Sequence, residues 1–161
     1  MGRPVVHFEI GCGNSETTGD FYSKLFDWKL EDVPNPAAPD GNYTMVNVGD
    51  GTGGGIMKQV QGGPSGWLAY VEVDDIQAAT QKARSLGGKV MKEPFEVIGR
   101  GWIGFIQDPD GAILGFDRHD EVARLAVHDI PGVFFIARHI DELAVGRDRH
   151  AVAAIGQSFH P

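Results

Sequence analysis

The stretch WLAYVEVDDIQAATQKARSLGG, residues 67–88, decides the fold of this chain. Its first seven residues are rich in β-formers, which predicts a strand, and the rest carries apolar side chains at helical spacing. Asp74 or Asp75 can cap the start of the helix before Ile76, and the two closing glycines mark its end. The stretch therefore predicts a strand that leads directly into a helix.

An upstream segment has the same order of elements. PVVHFEI (4–10) is strand-like, and SETTGDFYSKLFDW (15–28) has apolar residues at helical spacing. LEDVPNPAAPDGN (30–42) is predicted to be a loop because it is rich in Pro and Asn. The strand YTMVNV (43–48) and a further, glycine-rich strand complete this half.

The downstream half continues in a similar way. KVMKEPFEVIG (89–99) is predicted to be a short strand and a loop. RGWIGFIQ (100–107), the turn DPDG and AILGFD (112–117) form a predicted hairpin. Together the two halves indicate an internal duplication, with modules at about 5–57 and 66–118.

An offset of 61 residues superposes the two halves, placing His7 on Leu68 and Glu9 on Tyr70. Side chains alternate across a strand, and each helix must cover one face of its sheet. Apolar residues such as Phe8 belong on the helix side. The opposite face then carries Val5, His7, Glu9, Leu68, Tyr70 and Glu72. This mixture of apolar and titratable groups predicts a pocket rather than a second core.

Composition excludes several classes of function. The net charge is −8 and the 14 Lys and Arg residues are scattered, so a nucleic-acid partner is not expected. Cys12 is the single cysteine, which excludes a disulfide framework within the chain and suits a reducing cytoplasm. No stretch of about 18 apolar residues occurs, so no membrane partner is expected.

The ordered motifs HFEI, FYSKLFDW, YTM with its glycine-rich strand, WLAYVEVDD and DPDGAILGF resemble the vicinal oxygen chelate family. That family includes glyoxalase I, bleomycin-resistance proteins and extradiol dioxygenases. The resemblance implies an α+β fold of paired βαβββ modules, whose mixed sheet forms a cup that holds the active site, commonly within a homodimer. We therefore expect a glyoxalase-like domain over residues 1–118.

Residues 119–161 lie outside the resemblance. Their composition shifts toward Ala, Val, Ile, His and Arg, and Ile136, Ile140 and Leu143 fall on one possible helical stripe. We expect a C-terminal helical extension that packs on the domain or on a second subunit.

Metal-dependent members of the family place four ligands in the cup, on the first and last strands of each module. His7 matches the first position, whereas the second falls on Gly54 or Gly55, the third on Leu68 and the fourth on Gly115. A catalytic metal needs three or more protein donors. The resemblance is therefore to a branch poor in metal ligands, and neither a metal nor another cofactor is expected.

The binding hypothesis is that the cup holds a small organic molecule. Its expected lining comprises Leu68, Tyr70, Gly55, Trp102 and Gly115. Bleomycin-resistance members bind a cationic drug, and the acidic composition together with aromatic residues would suit a flat or cationic guest.

The alternative hypothesis is an enzyme of lyase, isomerase or dioxygenase type. Desolvation would let Glu9 or Glu72 act as a general base, with His7 or Tyr70 assisting. A displaced metal site made of His7, Glu9 and Glu72 is a further alternative. The simplest interpretation of His7 is a histidine that hydrogen-bonds to Glu9 or to the backbone without any chemistry.

Overall fold

The computed structural model describes residues 2–36, 38–59, 65–97 and 100–119. The expected C-terminal extension therefore lies, apart from His119, outside the described residues. The elements in chain order are β1 (Val5–Cys12), α1 (Ser15–Phe26), β2 (Lys29–Pro34), β3 (Asn42–Asn47), β4 (Gly54–Lys58), β5 (Gly66–Glu72), α2 (Ile76–Ser85), β6 (Lys89–Val97), β7 (Gly101–Gln107) and β8 (Ile113–His119).

All the strands join one eight-stranded mixed sheet in the order β2-β3-β4-β1-β5-β8-β7-β6. β1 runs parallel to β4 and β5 runs parallel to β8, while β1 and β5 pair antiparallel in the centre. Each half is thus one βαβββ module, and the two modules meet along their first strands. The predicted α+β fold of paired modules is confirmed.

The central pairing also confirms the duplication offset. His7 is paired with Tyr70, and Glu9 is paired with Leu68. An offset of 61 residues exchanges these two pairs, which is what an approximate two-fold axis between the modules requires. The four side chains whose common face was predicted from strand alternation therefore surround the centre of the sheet.

Each of the two helices is capped at its N-terminus by the side chain of the preceding residue. The Asn14 Oδ1 atom accepts a hydrogen bond of 2.8 Å from the Thr17 N–H, and Asp75 Oδ1 accepts one of 2.9 Å from the Ala78 N–H. Asp75 is therefore the N-cap of α2. Neither helix in the described part of the chain has the length and apolar character needed to cross a membrane.

The two helices cover one face of the sheet with separate apolar clusters. The cluster beside α1 is built on Ile10, Cys12, Val46 and Ile56. The cluster beside α2 is built on Val73, Ile76 and Phe116. Neither of these two helices covers the other face of the sheet, which we call the cup.

The cup carries an apolar cluster of its own. Its buried members are Ala38, Tyr43, Met57, Tyr70, Val97, Ile103 and Phe105. Because strands from β3 to the edge strand β6 contribute to this one cluster, the sheet curves around it. The sequence predicted a pocket in place of a second core, whereas the cup combines packed apolar side chains with buried polar groups.

Two edge strands extend over residues that were predicted to be a loop in the first case, and a short strand followed by a loop in the second. Residues 30–34 of the first predicted loop belong to β2, which pairs with β3 from Lys29 to Pro34. The second, β6, is nine residues long, contains Pro94 and has two register shifts. Proline lacks the N–H that an interior strand must donate, but an edge strand tolerates it. For this reason the Pro content misled the prediction.

Candidate functional site

His7 projects from β1 into the cup and is hydrogen-bonded there. Its Nε2 atom lies 3.0 Å from the hydroxyl oxygen of Tyr43, and its ring meets that of Tyr70 edge-on at 5.6 Å between centroids. Burial, reinforced by the positive charge of Arg100, holds the pKa of His7 well below its usual 6.5. His7 is therefore neutral at pH 7, and its partner is Tyr43 rather than the expected Glu9 or backbone.

Glu9, two residues further along β1, is 1% exposed. Neither of its carboxyl oxygens has a hydrogen-bond partner among the described residues. Burial raises the pKa of Glu9 to about 8, against a smaller opposing effect of Arg100. At neutral pH the carboxyl group is mostly protonated, and it can both donate and accept hydrogen bonds.

Tyr70 lies on β5, facing the same interior. It is fully buried, and its hydroxyl group has no hydrogen-bond partner in the part of the chain that is described. Burial raises its pKa, and the nearby Glu9 adds to the rise. The guanidinium carbon of Arg100 lies 6.0 Å from the centre of the Tyr70 ring. The phenol therefore remains a neutral hydrogen-bonding group close to a buried cation.

Arg100 and Asp117 form a buried ion pair on the second module's side of the cup. Nη2 of Arg100 lies 2.5 Å from Oδ2 of Asp117, and the two residues are 8% and 0% exposed. Nε of Arg100 and Oδ1 of Asp117 have no hydrogen-bond partner among the described residues. The His119 Nε2 atom lies 3.6 Å from that Oδ1 atom. The pair thus leaves one donor and one acceptor unused.

The four positions that hold a metal in chelating relatives lie around the cup centre. Glu9 is paired with Gly55 on β4, and Tyr70 is paired with Gly115 on β8. A Cβ atom would lie 1.9 Å from the Tyr43 hydroxyl oxygen at Gly55, and 2.4 Å from the Tyr70 ring at Gly115. Tyrosine side chains thus occupy the space that a ligand side chain at either position would need.

No three His, Cys, Asp or Glu side chains come together in a metal-binding arrangement within residues 2–36, 38–59, 65–97 and 100–119. The displaced site of His7, Glu9 and Glu72 is accordingly not formed. The residues present do not fit the metal ion of chelating relatives.

Of the three candidate catalytic residues, His7 and Glu9 lie together in the cup. Glu72 lies at the end of β5, where its N–H donates to the Pro4 carbonyl. The pKa of Arg3 is raised mainly by the hydrogen bond and charge of Asp74, and the Glu72 carboxylate adds a smaller contribution. Glu72 is thus at the rim of the sheet.

The expected pocket residues are divided between the two faces. Leu68 and Tyr70 contribute to the cup cluster, with Gly55 and Gly115 beside its tyrosines. Trp102 lies on the opposite face in the α2 cluster, apart from the other four expected pocket residues. It alternates with the inward Ile103, so the strand pattern alone could have excluded it.

Trp102 instead borders a separate cleft of about 430 Å³ on the helix side of the sheet. Its other lining residues are Asp74, Asp75, Ile76, Gln77 and Arg118. Trp67 also faces the helix side, where its Nε1–H donates to the Tyr22 hydroxyl at 3.2 Å. Neither tryptophan contributes to the cup.

Sequence reasoning missed Arg100 and Asp117. Asp117 lies two residues after Gly115 on the same strand, so alternation could have placed it in the cup. Arg100 precedes β7, and no periodic pattern places a loop side chain. Its role is visible only from its contact with Asp117.

Comparison with solved structures defines the class of fold. A hypothetical protein from Bacillus halodurans C-125 superposes with a TM-score of 0.60 at 14% identity, over 75% of this chain and 97% of that one. Methylmalonyl-CoA epimerase from Mycobacterium tuberculosis gives a TM-score of 0.58 at 16% identity, over 76% and 91% of the two chains. At these identities the likeness shows a shared fold.

The family follows from the sequence. The model of the Glyoxalase/Bleomycin resistance protein/Dioxygenase superfamily matches residues 5–116, and the chain belongs to this family. The resemblance recognised from the ordered motifs is thereby confirmed.

Three curated relatives illustrate the range of sizes. A putative glyoxylase, CFP32 of Mycobacterium tuberculosis, is 35% identical over 99 residues, which cover 59% of this chain and 38% of the relative. The anthracycline biosynthesis protein DnrV of Streptomyces peucetius is 28% identical over 158 residues, covering 88% and 56%. A lactoylglutathione lyase of Neisseria meningitidis is 30% identical over 124 residues, covering 70% and 88%. The chain spans about half or less of the length of the first two.

Proposed function

We propose that the protein binds a small organic molecule in the cup, without a metal ion. The observation that carries the proposal is a group of buried polar atoms without partners among the described residues. They are both carboxyl oxygens of Glu9, the Tyr70 hydroxyl, Nε of Arg100 and Oδ1 of Asp117. A buried polar group left unsatisfied costs about 1–3 kcal/mol, so a ligand that supplies partners gains affinity.

The apolar surroundings of these atoms support the same function. Met45, Leu68, Met91 and Phe95 are partly buried and pack against the buried cup cluster. Binding sites typically combine apolar walls with a few convergent polar groups. Methionine side chains also adapt to the shape of a guest because they are unbranched and flexible.

The names of the relatives favour a small organic substrate or ligand, since two of them are named as enzymes of the glyoxalase type. We do not extend a metal-dependent reaction to this chain. Gly55 and Gly115 offer no donor, and His7 is already bonded to Tyr43. Binding through hydrogen bonds to Glu9 and Tyr70 is what the remaining groups support.

A ligand screen with matched variants tests the proposal. Wild-type protein is screened by thermal shift against neutral, cationic and anionic small molecules, and hits are titrated calorimetrically. Replacing Glu9→Gln or Tyr70→Phe is expected to weaken true cup ligands by about tenfold or more. The exposed control replacement Glu31→Gln should leave their affinity unchanged. Hits that bind equally well to all variants, or an absence of hits, would contradict binding in the cup.

A second candidate function is metal-free proton transfer, of the kind that an isomerase or lyase needs. It is favoured by one observation, the buried carboxyl group of Glu9 without a hydrogen-bond partner among the described residues. Burial raises its pKa to about 8, which allows proton exchange near neutral pH. Hits from the screen are incubated with the protein in D₂O, and loss of carbon-bound protons is followed by NMR. Exchange that disappears in Glu9→Gln supports catalysis, while exchange that persists in this variant rejects Glu9 as the base.

We further propose that two copies of the chain associate in the cytoplasm. A patch on and beside α1 exposes four large apolar side chains, Phe21 (58%), Leu25 (54%), Phe26 (50%) and Trp67 (54%), and such patches favour association. The buried, free thiol of Cys12 suits a reducing compartment. Sedimentation velocity of wild type and of Phe21→Ser/Leu25→Ser tests the dimer. A monomeric wild type at micromolar concentration would refute it.

A further inference from the structure

We propose that the cup selects an uncharged ligand with a carboxamide-like head and an apolar body. The head binds at the Arg100–Asp117 pair, and the body packs against Met45 and Met57. This inference rests on the proposed function. It names the class of ligand, and it differs from the cationic guest that the acidic composition favoured.

The charges of the buried groups inside the cup cancel one another. Arg100 and Asp117 neutralise each other directly, with 2.5 Å between Nη2 and Oδ2. Glu9 has no cationic side chain within ion-pairing distance in the described part of the chain, so a buried carboxyl here stays protonated. His7 is hydrogen-bonded to a neutral phenol, the hydroxyl group of Tyr43.

Lys92 lies at the edge of the cup, with its Nζ atom 5.9 Å from the centre of the Phe95 ring. At the buried end formed by Arg100 and Asp117, however, a net charge on the ligand would enter a site whose described charges already compensate each other. Moving an ion out of water costs several kcal/mol unless an opposite charge compensates it. The acidic side chains responsible for the net charge of −8 are mostly exposed, so water screens their attraction for a cation in the cup. An uncharged guest avoids this penalty.

The ion pair leaves two of its polar atoms unused. Nε of Arg100 can only donate and Oδ1 of Asp117 can only accept, and both are buried without hydrogen-bond partners. The two groups are hydrogen-bonded to each other through Nη2 and Oδ2, so the pair carries one unused donor and one unused acceptor. A carboxamide presents the complement, a carbonyl oxygen and an N–H group. Tyr70 and Glu9, which can each donate or accept, complete the lining of this end.

The opposite end of the cup differs, since the described residues place no ion pair there. This end belongs to the first module and carries Met45, Met57 and Tyr43. The Tyr43 ring projects from β3 toward Gly55. On the last strands of the two modules the duplication offset is one residue less than 61, so Gly55 corresponds to Gly115. Met57 is therefore the counterpart of Asp117. The apolar body of the ligand therefore contacts methionine and aromatic side chains, whereas its head contacts the Arg100–Asp117 pair.

Three probes that share one scaffold test the inference: 2-naphthamide, 2-naphthoate and 2-naphthylmethylammonium. Their affinities for the whole chain are measured by calorimetry at pH 7. We expect the amide to bind about tenfold or more tightly than either ion. Equal or tighter binding of an ion, or no binding of any of the three, would overturn the inference.

Charge-altering variants separate recognition from mere structural support. In Asp117→Asn the Arg100 charge is uncompensated, so the preference should shift by about tenfold toward naphthoate. In the doubly neutral Arg100→Met/Asp117→Leu the cup stays uncharged, so the amide should lose its advantage over naphthalene itself. The exposed pair Lys24–Asp20, replaced as Lys24→Met/Asp20→Leu, is the control. Unaltered preference in both cup variants refutes the role of the pair.

The outcomes also distinguish this inference from the proposed function. If a charged probe binds tightly and loses affinity in Tyr70→Phe, the cup is a binding site and only the class of ligand is wrong. If no probe binds while the broader screen finds cup ligands, the same conclusion holds. If neither experiment finds a ligand, the proposed function fails as well.

Discussion

Gly55 on β4 and Tyr43 on β3 are in direct steric opposition: a Cβ atom on Gly55 would lie 1.9 Å from the Tyr43 hydroxyl oxygen and 2.0 Å from its ring carbon Cζ. Tyr43 is 1% exposed and is bonded to His7, so it has little freedom to move. At the position where chelating relatives carry a metal ligand, this protein has Gly55, and the Tyr43 ring from the neighbouring strand fills the space.

We therefore expect Gly55→Ala to destabilise the protein by about 1–3 kcal/mol through overpacking. The measurement is urea unfolding at pH 7. The matched control is Gly66→Ala on β5, where a Cβ atom would meet nothing within 4 Å. Equal stabilities of the two variants would show that the cup yields easily at Gly55.

A second prediction concerns Glu9 and pH. Its folded-state pKa of about 8 is above the unfolded value of 4.5, so its contribution to stability is full below pH 4.5 and is lost as pH rises through 8. Relative to wild type, Glu9→Gln should gain stability by up to about 1.4 kcal/mol per pH unit across this window. Denaturant unfolding at intervals from pH 5 to pH 9 measures the difference.

Comparing Glu9→Gln with wild type at each pH isolates the contribution of Glu9, because both proteins contain His7 and its contribution cancels. Glu31→Gln on the exposed edge strand β2 is the control and should track wild type. A Glu9→Gln curve parallel to wild type over the whole range would mean that Glu9 is ionised in the folded protein.

The hydrogen bond between His7 and Tyr43 supports a third prediction. Tyr43→Phe keeps the ring but leaves the buried Nε2 of His7 without its partner, which should cost about 1–3 kcal/mol. In Tyr22→Phe the lost hydroxyl belongs to an exposed hydrogen bond with Trp67, and the cost should be smaller. Thermal unfolding of both variants provides the comparison. A cost no greater for Tyr43 than for Tyr22 would indicate that water replaces the phenol.

The buried ion pair supports a fourth prediction. Arg100→Met alone leaves Asp117 charged and buried, and should destabilise by about 3–5 kcal/mol. The double replacement Arg100→Met/Asp117→Leu removes both charges and should recover much of that loss. Denaturant unfolding of Arg100→Met, of Asp117→Leu and of the double variant measures the coupling, with Lys24→Met as an exposed control. Additive costs would show that the two side chains act independently.

Strand alternation and the repeat predicted the centre of the molecule well. The common face of His7, Glu9, Leu68 and Tyr70 follows from a period of two, which no tertiary contact needs to correct. The fold class follows from the order of the motifs. These features are local or repetitive, so a single sequence carries them.

The edges of the sheet and the chemistry of the site were less accessible. Pro34 and Pro94 weaken the strand signal in β2 and β6 because only the final position of a strand in the sheet makes a proline acceptable. The contact between Arg100 and Asp117 joins a loop to a strand 17 residues away. Neither periodicity nor composition encodes such a contact. The unpartnered atoms of Glu9 likewise emerge only once the whole cup is assembled.

The pairing of β1 with β5 brings two similar modules together around an approximate two-fold axis. If their side chains also matched, a guest could enter in either of two opposite directions with equal ease. Here Glu9 has Tyr70 as its counterpart, and Met57 has Asp117, so the two ends are chemically different. A bound molecule would consequently bind in one orientation only, because the two modules no longer present the same side chains at the two ends of the cup.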